Sequence, residues 1–290
     1  MKHGIYYAYW EQEWRGDYVY YTKKAAGLGF DILEIGAPPL PDYTEAQLNE
    51  LKAVAEGNGI SLTAGYGPSY DMYVASPDEK VRNKAYDWMK RLFEVLEKLN
   101  ITQLVGGLYS YWPVDFTKPF NKADDWKYSV EGIRKLSDIA KDYNVVLNME
   151  VLNRFENHLL NTAEEGVAFV KEVNKENVRV MLDTFHMNIE EASLGAAIRT
   201  AGSLLGHLHT GECNRDVPGR GRMPWREIAE ALHDINYEGA VVMEPFIKMG
   251  GTVGKNIHVW RDLSNGASDE ELDERARQAL VYQRYMLERR

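Results

Sequence analysis

Cysteine is nearly absent: Cys213 stands alone in 290 residues, so no disulfide can form within the chain, and a reducing, cytoplasmic setting is expected. No apolar run approaches the ~18 residues of a membrane span. The amino terminus, MKHGIYYAYW, lacks the basic-then-apolar pattern of a secretory signal. Basic charge is also short. Against 44 Asp and Glu there are 34 Lys and Arg, and the formal charge of −10 opposes a nucleic-acid or anionic-membrane partner. A bound divalent cation would neutralise part of that excess. No glycine-rich dinucleotide fingerprint follows the first strand-like run, so no nucleotide cofactor is expected. No linker or low-complexity tract divides the chain, which reads as one domain over 1–290.

Eight strand-like runs recur along this length: 4–9, 31–36, 61–66, 102–107, 145–150, 178–183, 206–211 and 240–245. Their starts lie 27 to 43 residues apart, and helical periodicity fills the gaps. Val81, Ala85, Trp88, Leu92, Val95 and Leu99 fall at steps of four and three, the mark of one buried helix face. Ser76, Pro77 and Glu79 predict a capping box at the start of that helix, with proline at its first position; Thr162 with Glu165 and Ser268 with Glu271 predict two more. Strands too apolar to face water, alternating with helices, imply a parallel sheet covered by helices. Eight repeats suggest an α/β chain closed into a single (β/α)8 barrel. The longer loops after strands 1, 3, 4, 7 and 8 should form its functional rim.

Four consecutive strands each end in one metal-type ligand: Glu150, Asp183, His209 and Glu244, spaced by 33, 26 and 35 residues. Pointed at a common centre from the carboxyl end of a barrel, they would form a metal site. Three carboxylates and one imidazole suit Mn²⁺, Co²⁺ or Mg²⁺ better than a closed structural zinc site. An octahedral ion would keep two positions for adjacent oxygens of a hydroxy-ketone, polarising the carbonyl and stabilising an enediolate. Glu150 and Glu244, three strands apart, would approach such a substrate from opposite sides and exchange its proton between faces, which is epimerisation. A lone buried Glu is more often a salt-bridge partner; four ligands at strand-end spacing reverse those odds. If strand alternation continues, Phe185 and Phe246 share the ligand face.

Further polar groups lie nearby. Glu156 and His158 follow strand 5, His186 strand 6, and Arg215 strand 7. His3, His207, His233 and His258 read as structural, with His207 facing the barrel interior. The loop 214–225, with Arg215, Arg220 and Arg222, reads as a substrate-covering or solvated loop before a phosphate cradle. Cys213 reads as a spectator thiol. Of the 7 Trp and 18 Tyr, several lie near strand ends where sugar faces can pack, and more should serve the core or a subunit interface.

The stretches EVLNRFENH, VMLDTFHMNIEE, GHLHTGECNR, GRGRMPW, VMEPF and VWRDLS, with HGIYYAYWEQEW and LYSYWP, resemble the D-psicose (D-allulose) and D-tagatose 3-epimerase family of ketose 3-epimerases. The likeness runs from residue 2 to about 285. It implies a xylose-isomerase-like barrel and an Mn²⁺- or Co²⁺-dependent C3 epimerase of free ketohexoses. Carried over by that resemblance, Glu150 and Glu244 hold the metal and move the proton, while Asp183 and His209 complete the ligand set. Glu156, His186 and Arg215 match the residues at the O1–O3 end of the sugar; Tyr6, Gly107, Trp112 and Phe246 match the less polar far end. A homodimer or homotetramer is implied. Tyr66, in the aromatic segment 66–79, would affect the preferred ketose if it enters the pocket. Other readings are an aldose–ketose isomerase, a phosphosugar epimerase, a metal-dependent hydrolase or endonuclease, and a noncatalytic sugar-binding protein. The hydrolase and endonuclease reading needs more histidine ligands than this chain offers at strand ends.

Overall fold

The computed structural model describes residues 1–288. Eight parallel strands close in sequence order: β1 (Lys2–Tyr6), β2 (Ile32–Gly36), β3 (Ser61–Gly65), β4 (Gln103–Gly106), β5 (Val146–Glu150), β6 (Val178–Asp183), β7 (Leu205–Thr210) and β8 (Ala240–Met243). Gly4 pairs with both Ile32 and Val242, so β1 completes the ring. The strands are short and almost wholly buried, because helices cover their outer faces and side chains fill the interior. Each predicted strand is present, 178–183 with both ends unchanged and the others with ends moved by at most three residues. The largest shift is at the first, where Tyr7–Tyr9 turn into a 3₁₀ segment that carries three buried residues out of the barrel.

The helices are α1 (Tyr18–Leu28), α2 (Glu45–Gly57), α3 (Glu79–Lys98), α4 (Lys122–Lys141), α5 (Ala163–Val173), α6 (Thr184–Glu190), α7 (Leu194–Ala201), α8 (Trp225–Asp234), α9 (Gly251–Asn256) and α10 (Asp269–Glu288). None is long and apolar enough to cross a membrane among the described residues. On α3 the predicted face is buried at Ala85, Leu92, Val95 and Leu99, and Met89, Phe93 and Leu96 widen it to the stripe a barrel demands. The expected capping box at Ser76 is not formed. Asp78 is the N-cap and accepts from Lys80 N, while Ser76 Oγ accepts from Asp78 N two residues too early. The helix starts at Glu79, so Pro77 precedes the cap. Ser268 and Glu271 form a full box. Thr162 caps α5, but Glu165 reaches past it to Asn161 N.

Helix α10 is tied to the start of the chain. Tyr9 Oη donates to Leu272 O, Trp10 Nε1 to Asp273, and Gln283 sits between His3 Nδ1 (3.0 Å) and Thr210 Oγ1 (2.6 Å).

One irregularity sets the site. Val180 pairs with Leu205 but Met181 pairs with His207, so Gly206 is an extra residue, a β-bulge just before the histidine-bearing end of β7. A Cβ at Gly206 would collide with Asn148 Oδ1 and lie 2.6 Å from Arg179 Cβ. Gly206→Ala should therefore destabilise the barrel by roughly 1–3 kcal/mol, the usual cost of overpacking. Thermal denaturation reads this; an unchanged midpoint would mean the bulge is not close-packed.

Candidate active site

The carboxyl ends of the strands surround a cavity of about 250 Å³. This is small beside the ~300–1,000 Å³ of pockets that hold drug-sized ligands. One donor atom from each of Glu150, Asp183, His209 and Glu244 lies within 4.8 Å of the others. Glu150 is the last residue of β5 and Asp183 the last of β6, while His209 lies in β7 and Glu244 just beyond β8. Asp183 divides its oxygens. Oδ1 caps α6 by accepting from Phe185 N, which leaves Oδ2 facing the cluster.

Arg215 answers part of this negative charge. Its Nη1 donates to Asp183 Oδ2 (3.1 Å) and Glu244 Oε2 (3.0 Å), and its plane lies 3.8 Å from the centre of the Phe185 ring. Its backbone is in the left-handed region at φ 67°, unusual for a residue other than glycine. A tight reversal imposes this: Arg215 N donates to Glu212 O, Glu212 N to Asp216 O, and Phe246 N to Arg215 O.

His186 shares the same corner. Its Nδ1 accepts from Asn153 N (3.2 Å), which places the ring hydrogen on Nε2, 3.7 Å from Glu150 and 3.6 Å from Asp183. Glu156 accepts from Trp112 Nε1 (3.1 Å) and Asn153 Nδ2 (3.1 Å), with Arg215 Nη2 at 3.5 Å.

The electrostatics follow from crowding. Burial, then the neighbouring Glu244 charge, holds the Glu150 carboxyl well above its ordinary range. Burial alone would raise Asp183 and Glu156 too, but His186 and Arg215 outweigh it and keep both below the usual value. Burial pushes His186 down. For His209 burial is overcome by Glu34 and Glu244, which hold it well above the usual imidazole range. His209 Nδ1 is buried without a hydrogen-bond partner and faces Glu244 Oε2 (3.5 Å) and Glu150 Oε1 (3.9 Å). An unpartnered nitrogen among three carboxylates, in a site with excess negative charge, is a donor set that fits a divalent cation.

Residues 22–264 match the xylose isomerase-like TIM barrel family. The chain is 62% identical to D-psicose 3-epimerase of Ruminiclostridium cellulolyticum over 99% of this chain and 98% of that one. It is 56% identical to D-psicose 3-epimerase of Agrobacterium fabrum, covering 99% of each. The crystal structure of D-psicose 3-epimerase with D-tagatose from Clostridium cellulolyticum H10 matches with a TM-score of 0.98 over 99% of both chains, at 62% identity. The chain belongs to the ketose 3-epimerase family. It is an isomerase acting on carbohydrates.

Within this ketose 3-epimerase the residues singled out from sequence converge. Glu150, His209, Glu244, Glu156, His186, Arg215, Tyr6, Gly107, Trp112 and Phe246 line the cavity, and Asp183 lies just behind its wall. Tyr66 lines it as well, stacked on Trp88 with ring centres 4.7 Å apart. Two readings need correction, and one less favoured alternative falls away. Phe185 does not share a strand face with Asp183, because β6 ends at Asp183 and Phe185 is helical; it lies beneath Arg215 instead. His158 is not among the donor cluster's neighbours but pairs with Asp125 at 2.8 Å. The loop 214–225 offers no phosphate cradle: the buried Glu212 carboxylate already accepts from Gly219 N, Met223 N and Trp225 Nε1, while Arg220 turns to Asp216.

Glu34, Trp14 and Glu212 were not legible as site residues. Glu34 occupies β2 and lines the cavity floor, with Oε1 2.6 Å from His209 Nε2. Its only signal was an acidic residue inside an otherwise apolar strand run. Trp14, on the loop after β1, packs edge-on against Trp112 and Phe246. Glu212 holds three donors of this loop on one carboxylate. Glu212→Gln replaces one acceptor oxygen with NH₂ and leaves a buried donor unpaired, at a cost of about 1–3 kcal/mol. Limited proteolysis should then cut within 217–223 faster than in the parent; equal rates would show that the carboxylate does not hold the loop.

Proposed function

We propose that the chain epimerises free ketohexoses at C3, with D-fructose and D-psicose as its principal pair, using one Mn²⁺ or Co²⁺ held by Glu150, Asp183, His209 and Glu244. One observation carries this reading: two glutamates three strands apart face one small cavity, with the unpartnered Nδ1 of His209 between them. A divalent cation in that cluster would polarise the ketose carbonyl and make the adjacent C–H more acidic. Glu150 and Glu244 then act as the proton-moving pair. One removes the C3 proton to give a cis-enediolate, and the other returns a proton to the opposite face, inverting the carbon. Each needs only one oxygen for ligation and keeps the second for the proton.

Arg215, the Nε2–H of His186 and Glu156 bind the O1–O3 end. Together they fix which carbon faces the glutamates, and this separates C3 epimerisation from aldose–ketose isomerisation on the same scaffold. Tyr6, Gly107, Trp112 and Phe246 take the far end. Trp112 offers its ring face there, since its N–H is engaged by Glu156. Arg215 is the lone Lys or Arg side chain lining the cavity among the described residues, and it is already paired with carboxylates. That supports an unphosphorylated substrate. The resemblance adds a homodimer or homotetramer, for which exposed Phe155 and Trp260, each 67% accessible, offer apolar surface beside the rim loops.

Metal-stripped protein incubated with D-fructose in D₂O should give D-psicose labelled at C3 only after Mn²⁺ or Co²⁺ is restored. Label at C1, an aldose product, or turnover without metal would each refute the reading. Glu150→Gln and Glu244→Gln should each lower kcat by at least ~10²–10⁴-fold with the circular dichroism unchanged; near-normal turnover removes that residue from the proton path. For Arg215→Ala the expected result is a KM raised at least ~10-fold, as for the loss of a charged hydrogen bond, with metal retained. Loss of metal would reassign Arg215 from the sugar to the cation site.

A further inference from the structure

The floor beneath the donor cluster holds an arrangement to which the chemistry above gives no part. Glu34 is wholly buried inside the barrel, where a carboxylate requires partners. Its register neighbour on β3, Thr63, donates to Oε2 at 2.8 Å. Its other oxygen, Oε1, lies 2.6 Å from His209 Nε2, a bond that crosses from β2 to β7 and spans β1 and β8. An ionised carboxylate only accepts hydrogen bonds, so the hydrogen in this one belongs to Nε2. The opposite ring nitrogen, Nδ1, is then left as the edge that faces Glu244 and Glu150.

We propose that Glu34 is a positioning residue for the cation site: it fixes the His209 tautomer and ring plane so that the Nδ1 lone pair joins Glu150, Asp183 and Glu244. The inference rests on the metal-dependent reading of the site. Imidazoles that ligate metals commonly donate their other N–H to a carboxylate, and removing that partner typically weakens metal affinity or activity 10- to 100-fold. Glu34, His207 and His209 also form a three-donor cluster of their own. There, however, Glu34 is already engaged at direct hydrogen-bond lengths, Oε1 by His209 and Oε2 by Thr63. The ring of His207 completes the packing with Nε2 3.2 Å from Glu34 Oε2. The arrangement is that of a carboxylate serving a histidine rather than of a second ion site.

Calorimetric titration of the stripped full-length protein with Mn²⁺ and Co²⁺ tests this. The wild type should bind one ion per chain, and Glu34→Ala should bind it roughly 10- to 100-fold more weakly. Two gentler variants guard against a folding defect. Glu34→Gln, whose amide oxygen can still accept from Nε2–H, should fall between the two. Thr63→Val keeps the carboxylate but removes its donor and should weaken binding about 2- to 10-fold, the worth of one hydrogen bond. In ¹⁵N-histidine spectra of the Mg²⁺-loaded wild type, His209 should be protonated at Nε2. Unchanged affinity in all three variants, or a hydrogen on Nδ1, would overturn the role of Glu34 while leaving the metal site intact. A second ion bound by the wild type and lost in Glu34→Ala would make Glu34 a ligand and also overturn it. No ion bound by the wild type would remove the metal reading, and this inference with it.

Discussion

Repulsion among buried carboxylates governs the architecture of this protein. Glu150, Asp183 and Glu244 present oxygens within one 4.8 Å cluster, with Glu34 and Glu156 at its edges; Glu34, Glu150 and Asp183 are buried, and Glu156 and Glu244 are half-buried. Two like unit charges 4 Å apart repel by about 4 kcal/mol at an effective dielectric of 20. Such a group is tolerable only where each oxygen has a donor or a positive charge. The surrounding residues supply these: Thr63 and His209 for Glu34, Trp112 and Asn153 for Glu156, the α6 amino terminus for Asp183, and Arg215 for Asp183 and Glu244. The shortfall is at Glu150, whose nearest positive or donor groups are His186 Nε2 at 3.7 Å and His209 Nδ1 at 3.9 Å, and burial with the Glu244 charge holds its carboxyl above the usual range. A divalent cation among these oxygens would correct that imbalance and bring Lewis acidity to the same spot. The electrostatic demand and the catalytic demand are thereby one demand.

Placing a guanidinium there has a backbone cost. Arg215 sits in the left-handed region, which non-glycine residues seldom occupy, and such strain persists only where the surroundings over-determine it. Here the reversal between Glu212 and Asp216 and the bond from Phe246 N hold its main chain, and Phe185 supports its side chain. Glu212 contributes twice: its backbone makes the reversal, and its carboxylate gathers the amides that follow. A loop whose arginines and glycines offer an anion receptor as a second reading thus already contains its anion, supplied by the chain itself.

What could be read from sequence divides along the same physical line. Strand positions were legible because buried parallel strands are short apolar runs, and the four clustered donor residues because each punctuates such a run at the barrel's repeat. Helix α3 was legible from periodicity, yet its cap was misplaced by two residues, since Ser76 and Asp78 are both good caps and only the path of the preceding loop selects between them. Phe185 was misread because Asp183 switches the chain from strand to helix in one residue, ending the alternation that the inference required. Glu34 stayed hidden for a deeper reason. Its partner lies 175 residues away across the barrel, and nothing local in ILEIG marks the glutamate as anything but a strand residue. The bulge at Gly206 was hidden likewise, because a one-residue slip between β6 and β7 is a property of two strands and not of either alone.

The cavity's less polar end follows a different rule from its charged end. There the walls are aromatic, and several are fixed by specific contacts: Tyr66 by its stack on Trp88 outside the cavity, Trp112 by its N–H to Glu156, and Trp14 by its edge-on packing against Trp112 and Phe246. Trp112 joins the two ends, since one residue presents a ring to the far end and a donor to the charged end. A change in the aromatic wall that tilts Trp112 would therefore also disturb Glu156, and through it the contact of Glu156 with Arg215. The aromatic wall and the charged cluster are coupled in this barrel through a single indole, although their residues come from different strands.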